Sequence, residues 1–279
     1  MNLTSQFNTK GFCVIDNLFN KKILVKVRNE ILKKVKIKNN FFPVKNIKYY
    51  EKIKYNLRAP NGSLKKNLKN KDLKKGLSYI KNHTNSLSLK NPLINIKYLD
   101  NLIYEKKLLN IVNKIFKSKT FFLGYIKVGF FFNNKLPRNC INYFHTDDLK
   151  NKNSNDISTI KFSIALNDEN KTKSEFGIIP INKNKLSIKK QYFLKNEINK
   201  TISKKIIHPL ISSGDAILFD PINFYHVANK PIKKPRIIIY IEFLKRSKKK
   251  IYNKIKIKKN FFNKLTEENK KISKNFLTI

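Results

Sequence analysis

The sequence predicts a mainly β fold with flanking helices, built as a jelly roll. Two observations carry that reading. Between residues 120 and 243 the apolar residues fall into eight short runs split by turn-forming residues, with no long helical stretch among them. Such a pattern favours an antiparallel sandwich or barrel over alternating strands and helices, and eight strands suit a jelly roll. Ahead of that region the apolar residues recur twice at helical spacing, so helices flank the sheets.

Taken in order, Gly11-Phe12-Cys13-Val14-Ile15-Asp16 reads as a short strand behind a turn. Asn20 then caps a helix whose Ile23, Leu24, Val27, Ile31, Leu32 and Val35 share one face. Residues 40–97 are polar, rich in Asn and Lys, and broken by Pro43, Pro60, Gly62 and Pro92. That predicts an irregular segment with one helix near 72–81, of the kind that shapes a lid or a substrate-binding surface. A second helical pattern covers 98–117, with Leu102, Leu108, Leu109, Val112, Ile115 and Phe116 as its buried stripe. The eight strands are expected at 120–132, 141–145, 157–166, 176–180, 206–209, 216–219, 224–226 and 236–243. From Arg246 the sequence turns Lys-rich. The expected organisation is one domain over residues 1–245 and a basic C-terminal tail over 246–279, a solvated face that could also pack as a terminal helix or two.

The chain of 279 residues carries 61 Lys and Arg against 18 Asp and Glu, a formal charge of +43. Only five of the basic residues are Arg: Arg28, Arg58, Arg138, Arg236 and Arg246. A surface selected to grip phosphates favours Arg, whose planar fork matches their oxygens. Lys, Asn and Ile, all encoded by A/T-only codons, are enriched together, so compositional drift is the plainer account. No specific nucleic-acid partner is expected. Cys13 and Cys140 are too few for a disulfide framework and read as buried thiols of a reducing cytoplasm. No apolar run reaches the roughly 18 residues of a membrane span, and the expectation is a soluble cytoplasmic protein.

The chemistry gathers at Tyr143-Phe144-His145-Thr146-Asp147-Asp148. Side chains at i and i+2 of a strand leave the same face, so His145 and Asp147 converge while Thr146 looks away. Downstream, Phe224-Tyr225-His226 supplies a second imidazole on an apolar strand. Two His and one carboxylate on a rigid β framework form the facial donor set of non-haem Fe(II), with positions left open for other ligands. One His-x-Asp alone is weak in a chain with four His, and the context strengthens it. Phe130, Phe131, Phe132, Tyr143, Phe144, Phe219, Phe224 and Tyr225 are expected to keep the pocket dry. His83 reads as a surface residue, and His208, before Pro209, as a structural one.

The order of these features resembles the phytanoyl-CoA dioxygenase family. Phe7-x-x-x-Gly11-Phe12-Cys13-Val14-Ile15 precedes a capped helix; His145-Thr146-Asp147 follows; Gly214-Asp215-Ala216-Ile217-Leu218-Phe219 then leads to His226 and Arg236. The resemblance spans about Phe7 to Phe243 and implies a cupin-like double-stranded β-helix. It implies Fe(II) held by His145, Asp147 and His226, with 2-oxoglutarate and O2 as cosubstrates. It also implies that Arg236, ten residues after His226, holds the distal carboxylate of 2-oxoglutarate. The activity it implies is hydroxylation of a small organic or carrier-linked substrate, with release of succinate and CO2. Two alternatives stand beside it: a catalytically silent relative, and a nucleic-acid-binding protein suggested by the charge.

The chain departs from the family pattern in places. Ala228 stands where some members place a Ser or Thr two residues after the distal His, and Ser174-Glu175-Phe176-Gly177 replaces an Asn-Gly-Pro turn. Lys161 is similar to a Lys in some branches of the family and has no assigned role. Related halogenases lack the carboxylate ligand, so Asp147 argues against halogenation.

Overall fold

The computed structural model describes residues 3–35, 41–43, 86–89, 91–131, 144–147, 157–166, 172–173, 176–186, 188, 192–193, 198–228, 236–246 and 255–279. The helix expected near 72–81, His83 and Cys140 lie outside these residues.

Helix α1 (Leu3–Lys10) ends at Gly11, which takes φ +73° and donates its N–H to the Phe7 carbonyl at 2.8 Å. Only glycine adopts that left-handed stop at little cost. The chain then enters β1 (Phe12–Ile15) and α2 (Lys21–Val35), whose first turn is capped by Asn20 Oδ1 accepting from the Lys22 N–H at 2.8 Å. Of the 40–97 segment, expected to be irregular, the described residues include regular elements. It contributes β2 (Phe41–Pro43), β3 (Ser86–Leu89) and the short α3 (Pro92–Asn95). The single helix expected over 98–117 is two, α4 (Leu99–Ile103) and α5 (Lys106–Phe116). Tyr104 closes the first by donating to Asp100, and the Glu105 side chain opens the second by accepting from the Lys107 N–H.

The remaining strands are β4 (Phe122–Phe131), β5 (Phe144–His145), β6 (Thr159–Ala165), β7 (Thr172–Lys173), β8 (Phe176–Asn182), β9 (Tyr192–Phe193), β10 (Leu210–Ile211), β11 (Ala216–Phe219), β12 (Phe224–Ala228), β13 (Arg236–Leu244), β14 (Lys256–Ile257) and β15 (Leu277–Thr278). Residues 206–209 form no strand. Pro209 has no N–H to give a ladder, and pairing shrinks to one Ile178–Ile207 bridge. Short helices α6 (Lys200–Lys204), α7 (Lys259–Asn263) and α8 (Glu267–Ile272) complete the elements.

Two antiparallel sheets face each other, as in a jelly roll, and among the described residues they do not close into one barrel. The larger runs β1-β11-β6-β13-β4-β3-β2 and the smaller β8-β12-β5-β9. The two-residue period of a strand gives the large sheet two unlike faces. One face carries Ile237, Ile239, Ile241 and Phe243 of β13, in register with Phe130, Val128 and Ile126 of β4 and with Ile164, Phe162 and Ile160 of β6. With the buried stripes of α2 and α5 it forms the main hydrophobic core. The opposite face carries Lys161, Ser163, Tyr125, Lys127, Arg236, Tyr240 and Glu242 and looks toward the small sheet. A second apolar cluster, with Phe12, Phe176, Ile217, Phe219 and Phe224, joins the sheets beside that polar wall.

The C-terminal residues 255–279 lie against this body. Strands β14 and β15 pair in parallel, and Ile255, Ile257 and Ile272 are buried, Ile255 and Ile272 in the main core. Tyr104 Oη bonds Ser273 Oγ at 2.6 Å, and Asn275 Nδ2 donates to the Leu123 carbonyl at 3.3 Å.

Candidate metal centre

His145 ends β5 and His226 lies in β12, and the two are direct cross-strand partners in the small sheet. Their rings face the same side, with centroids 4.4 Å apart. Asp147 follows two residues after His145, and its N–H donates to the Pro221 carbonyl at 2.8 Å, so the turn before β12 fixes it. That turn is built by Asp220. Its Oδ1 accepts from the N–H groups of Ile222 (2.9 Å) and Asn223 (3.0 Å), and its Oδ2 from Asn223 Nδ2 at 2.8 Å. Burial raises the Asp220 pKa against the pull of those bonds. Asp215 does the matching work at the start of β11, where it accepts from Ser212 and from the Asn17 N–H.

The three predicted ligands come together. Asp147 Oδ1 stands 3.6 Å from His145 Nε2 and 3.7 Å from His226 Nε2, and one ligand atom from each residue fits within 4.8 Å of the others. The two Asp147 separations are too long for hydrogen bonds. They do fit donors that share one ion, since two ligands each roughly 2.1 Å from a metal lie at most about 4.2 Å apart. Among the described residues this is the one such group of His, Cys, Asp and Glu.

Protonation suits ligation as well. Burial, then the neighbouring His145, pushes His226 down to about 3, so its imidazole is neutral. Loss of solvent would raise Asp147, but Lys161, His226 and His145 hold it well below the usual carboxylate range. Phe219 packs on the His226 ring at 4.9 Å and Phe176 stacks on it at 6.1 Å. His145 and Asp147 form the open side of the site, each with 27% of its side chain exposed, against 8% for His226.

The phytanoyl-CoA dioxygenase (PhyH) family matches residues 7–229 of this sequence. The chain belongs to that family. Among solved structures it is similar in fold to the non-haem alpha-ketoglutarate-dependent epimerase SnoN from nogalamycin biosynthesis, with a TM-score of 0.52 and 10% identity over 87% of this chain and 79% of that one. HygX from Streptomyces hygroscopicus, solved with nickel and 2-oxoglutarate bound, gives 0.52 at 12% identity over 87% and 85%. AviO1 from Streptomyces viridochromogenes Tue57 gives 0.53 at 12% over 87% and 93%. No curated protein matches the sequence.

Within this family member, Arg236 lies just past the matched residues. It opens β13, is 5% exposed, and lays its guanidinium 4.8 Å over the Phe131 ring. Strand parity puts it on the polar wall with Tyr240 and Glu242. His208 is separate: its Nδ1 lies 3.1 Å from the Phe176 carbonyl, and its ring fills the space that a side chain at Gly177 would need. The aromatic lining differs from expectation. Phe130 lies in the main core, while Phe144 and Tyr225 pack on the outer face of the small sheet, because each is one residue out of phase with the site. Phe132 and Tyr143 lie outside the described residues.

One charged group on the wall reaches the triad. Lys161 Nζ donates to Asp147 Oδ2 and pairs with Glu242 Oε2 at 3.3 Å, 4.9 Å above the Tyr125 ring. Burial opposes its charge, yet Asp147, Tyr125 and Glu242 raise its pKa well above the ordinary value. Sequence reasoning missed Glu242 and Lys127. Their signal is a lone charge in the interior of an apolar strand, Lys127 in FLGYIKVGFF and Glu242 in RIIIYIEFL, which opens on Arg236.

Proposed function

We propose that this protein is an Fe(II)- and 2-oxoglutarate-dependent dioxygenase acting on a small organic or carrier-linked substrate. The observation that carries the reading is the convergence of His145 Nε2 and His226 Nε2, on two paired strands, with Asp147 Oδ1 on the loop after β5. Those three atoms would hold the metal, and the rigid small sheet keeps them in place before any ligand arrives. Bound iron with 2-oxoglutarate and O2 would supply the oxidising chemistry: 2-oxoglutarate, O2 and a C–H bond become succinate, CO2 and an alcohol. The chain's part is placement. Arg236, fixed by its stack on Phe131, would pair with the distal carboxylate of 2-oxoglutarate through two charge-assisted bonds. Phe219 and Phe176 would shield the metal side of the cleft from water. SnoN shows that a similar fold serves an epimerase, so product analysis decides whether oxygen stays on the product.

The test is anaerobic titration with Fe(II), then with 2-oxoglutarate. Wild type should bind one metal per chain, and His145→Ala or His226→Ala should abolish tight binding. Arg236→Ala should spare the metal but weaken 2-oxoglutarate by about one to two decades, the cost of a charged hydrogen-bonded pair, roughly 1.5–3 kcal/mol. Unchanged metal stoichiometry in both His variants would overturn the ligand assignment. Unchanged cosubstrate affinity in the Arg variant would move that carboxylate to another residue.

A further inference from the structure

The ligand carboxylate is held from behind. Asp147 has two oxygens, and they do different things: Oδ1 faces both imidazoles, while Oδ2 accepts from the Lys161 ammonium. Lys161 belongs to the large sheet and Asp147 to the loop leaving the small one, so the contact bridges the two layers. Glu242 is the register partner of Lys161 across β6 and β13, and its Oε2 binds the same ammonium at 3.3 Å. Tyr125, in register with Glu242 on the other side, lies under the ammonium. The lysine is therefore fixed on three sides, with 11% of its side chain exposed.

We propose that Lys161, steadied by Glu242, is the positioning residue of Asp147, occupying Oδ2 so that Oδ1 alone is presented to the metal. The proposal rests on the metal reading above. A carboxylate free to turn offers either oxygen, or both, and must be ordered when the ion binds. Partners that orient a ligand are worth typically 10- to 100-fold in metal affinity. The charge of the pair points the same way. Lys161 touches Asp147 and Glu242 lies one contact further out, so removing both takes more repulsion than attraction away from a bound cation. Any loss of affinity in the double variant then runs against the change of field and reports lost orientation.

The experiment measures Co(II) affinity by its visible absorption, with thermal denaturation of each metal-free variant alongside. Lys161→Met leaves Glu242 buried without its partner, and should lower both Tm and metal affinity. Lys161→Met/Glu242→Gln removes both charges and should recover much of the Tm. Its metal affinity should stay about 10- to 100-fold below wild type. Lys161→Arg, which keeps a donor to Oδ2, should lie closer to wild type than Lys161→Met. Metal affinity that returns together with Tm in the double variant would overturn the proposal and reduce the pair to a structural tie. So would wild-type affinity in Lys161→Met. Failure of folded wild type to bind Co(II) at all would instead sink the metal reading, and this inference with it.

Discussion

Lys127 sits on the polar wall in register with Tyr240, and no carboxylate lies within ion-pair distance of it among the described residues. Burial, and then the like charge of Lys161, lowers its pKa to about 8, with Asp147 pulling the other way. The unfolded chain holds that proton up to its ordinary value near 10.5. Below pH 8 both states are protonated, and the folded state carries the penalty of a partly buried charge with no ion-pair partner among the described residues. Between about 8 and 10.5 the unfolded state binds more protons than the native one, so stability rises with pH there. Lys127→Met should consequently be more stable than wild type at pH 7, by roughly 1–3 kcal/mol. The gap should narrow as pH approaches 10. Urea denaturation of both proteins at pH 7 and pH 10 checks it. A gap that stays constant with pH would mean the lysine is not perturbed. Lys161 presents the opposite case, a buried cation satisfied by two carboxylates. The two lysines share one face of one sheet, and partners alone separate their behaviour.

At the scale of elements, the junction of α1 and β1 supports the site from a distance. A Cβ at Gly11 would overlap the Phe224 ring, and φ +73° would strain any L side chain there. Phe224 stands two residues before His226 on the same face of β12, so Gly11→Ala pushes on the strand that carries a ligand. Left-handed strain of about 1–2 kcal/mol and overpacking of about 1–3 kcal/mol should add, and Tm should fall by several degrees or more. An unchanged Tm would show that Phe224 can move aside freely. Much of this arrangement was legible in the sequence because it follows from periodicity. The alternation in β13 separates Ile237, Ile239 and Ile241 from Arg236, Tyr240 and Glu242, and the cap at Asn20 marks α2. The His145–Asp147 half of the triad was legible because its i, i+2 spacing is local; His226 was read only as a second imidazole on an apolar strand, and the β5–β12 pairing that brings it in is not a local pattern. What could not be read depends on pairing between distant strands. The union of Lys161 with Glu242 follows from the β6–β13 register, which no local pattern encodes. Strands β2 (FFP) and β3 (SLSL) are only three and four residues long and set in Asn- and Lys-rich sequence, too short for a period to stand out. The break at Tyr104–Glu105 is a matter of capping inside a continuous apolar stripe.

For the molecule as a whole, a formal charge of +43 has to be reconciled with a site built from a few paired ions. The excess lies mostly elsewhere. Lys21, Lys22, Lys26 and Lys33 stand on the exposed face of α2, and Lys106, Lys107 and Lys114 on that of α5, opposite the stripes these helices bury. A nucleic-acid interface clusters Arg and stacking aromatics with its lysines. Here only five of 61 basic residues are Arg, and one of them, Arg236, is buried on the polar wall. The surface should still collect polyanions at low salt, because counterion release needs charge and no particular geometry. At near-physiological salt the screening length falls to about 8 Å, and dispersed lysines lose most of their joint pull. Competition among several DNA and RNA sequences and heparin under those conditions measures the outcome. Weak binding, stripped by heparin and indifferent to sequence and structure, is the expected result. A selective nanomolar complex would show instead that the basic helical faces form a recognition surface, and would make a nucleic acid the first substrate to offer the metal centre.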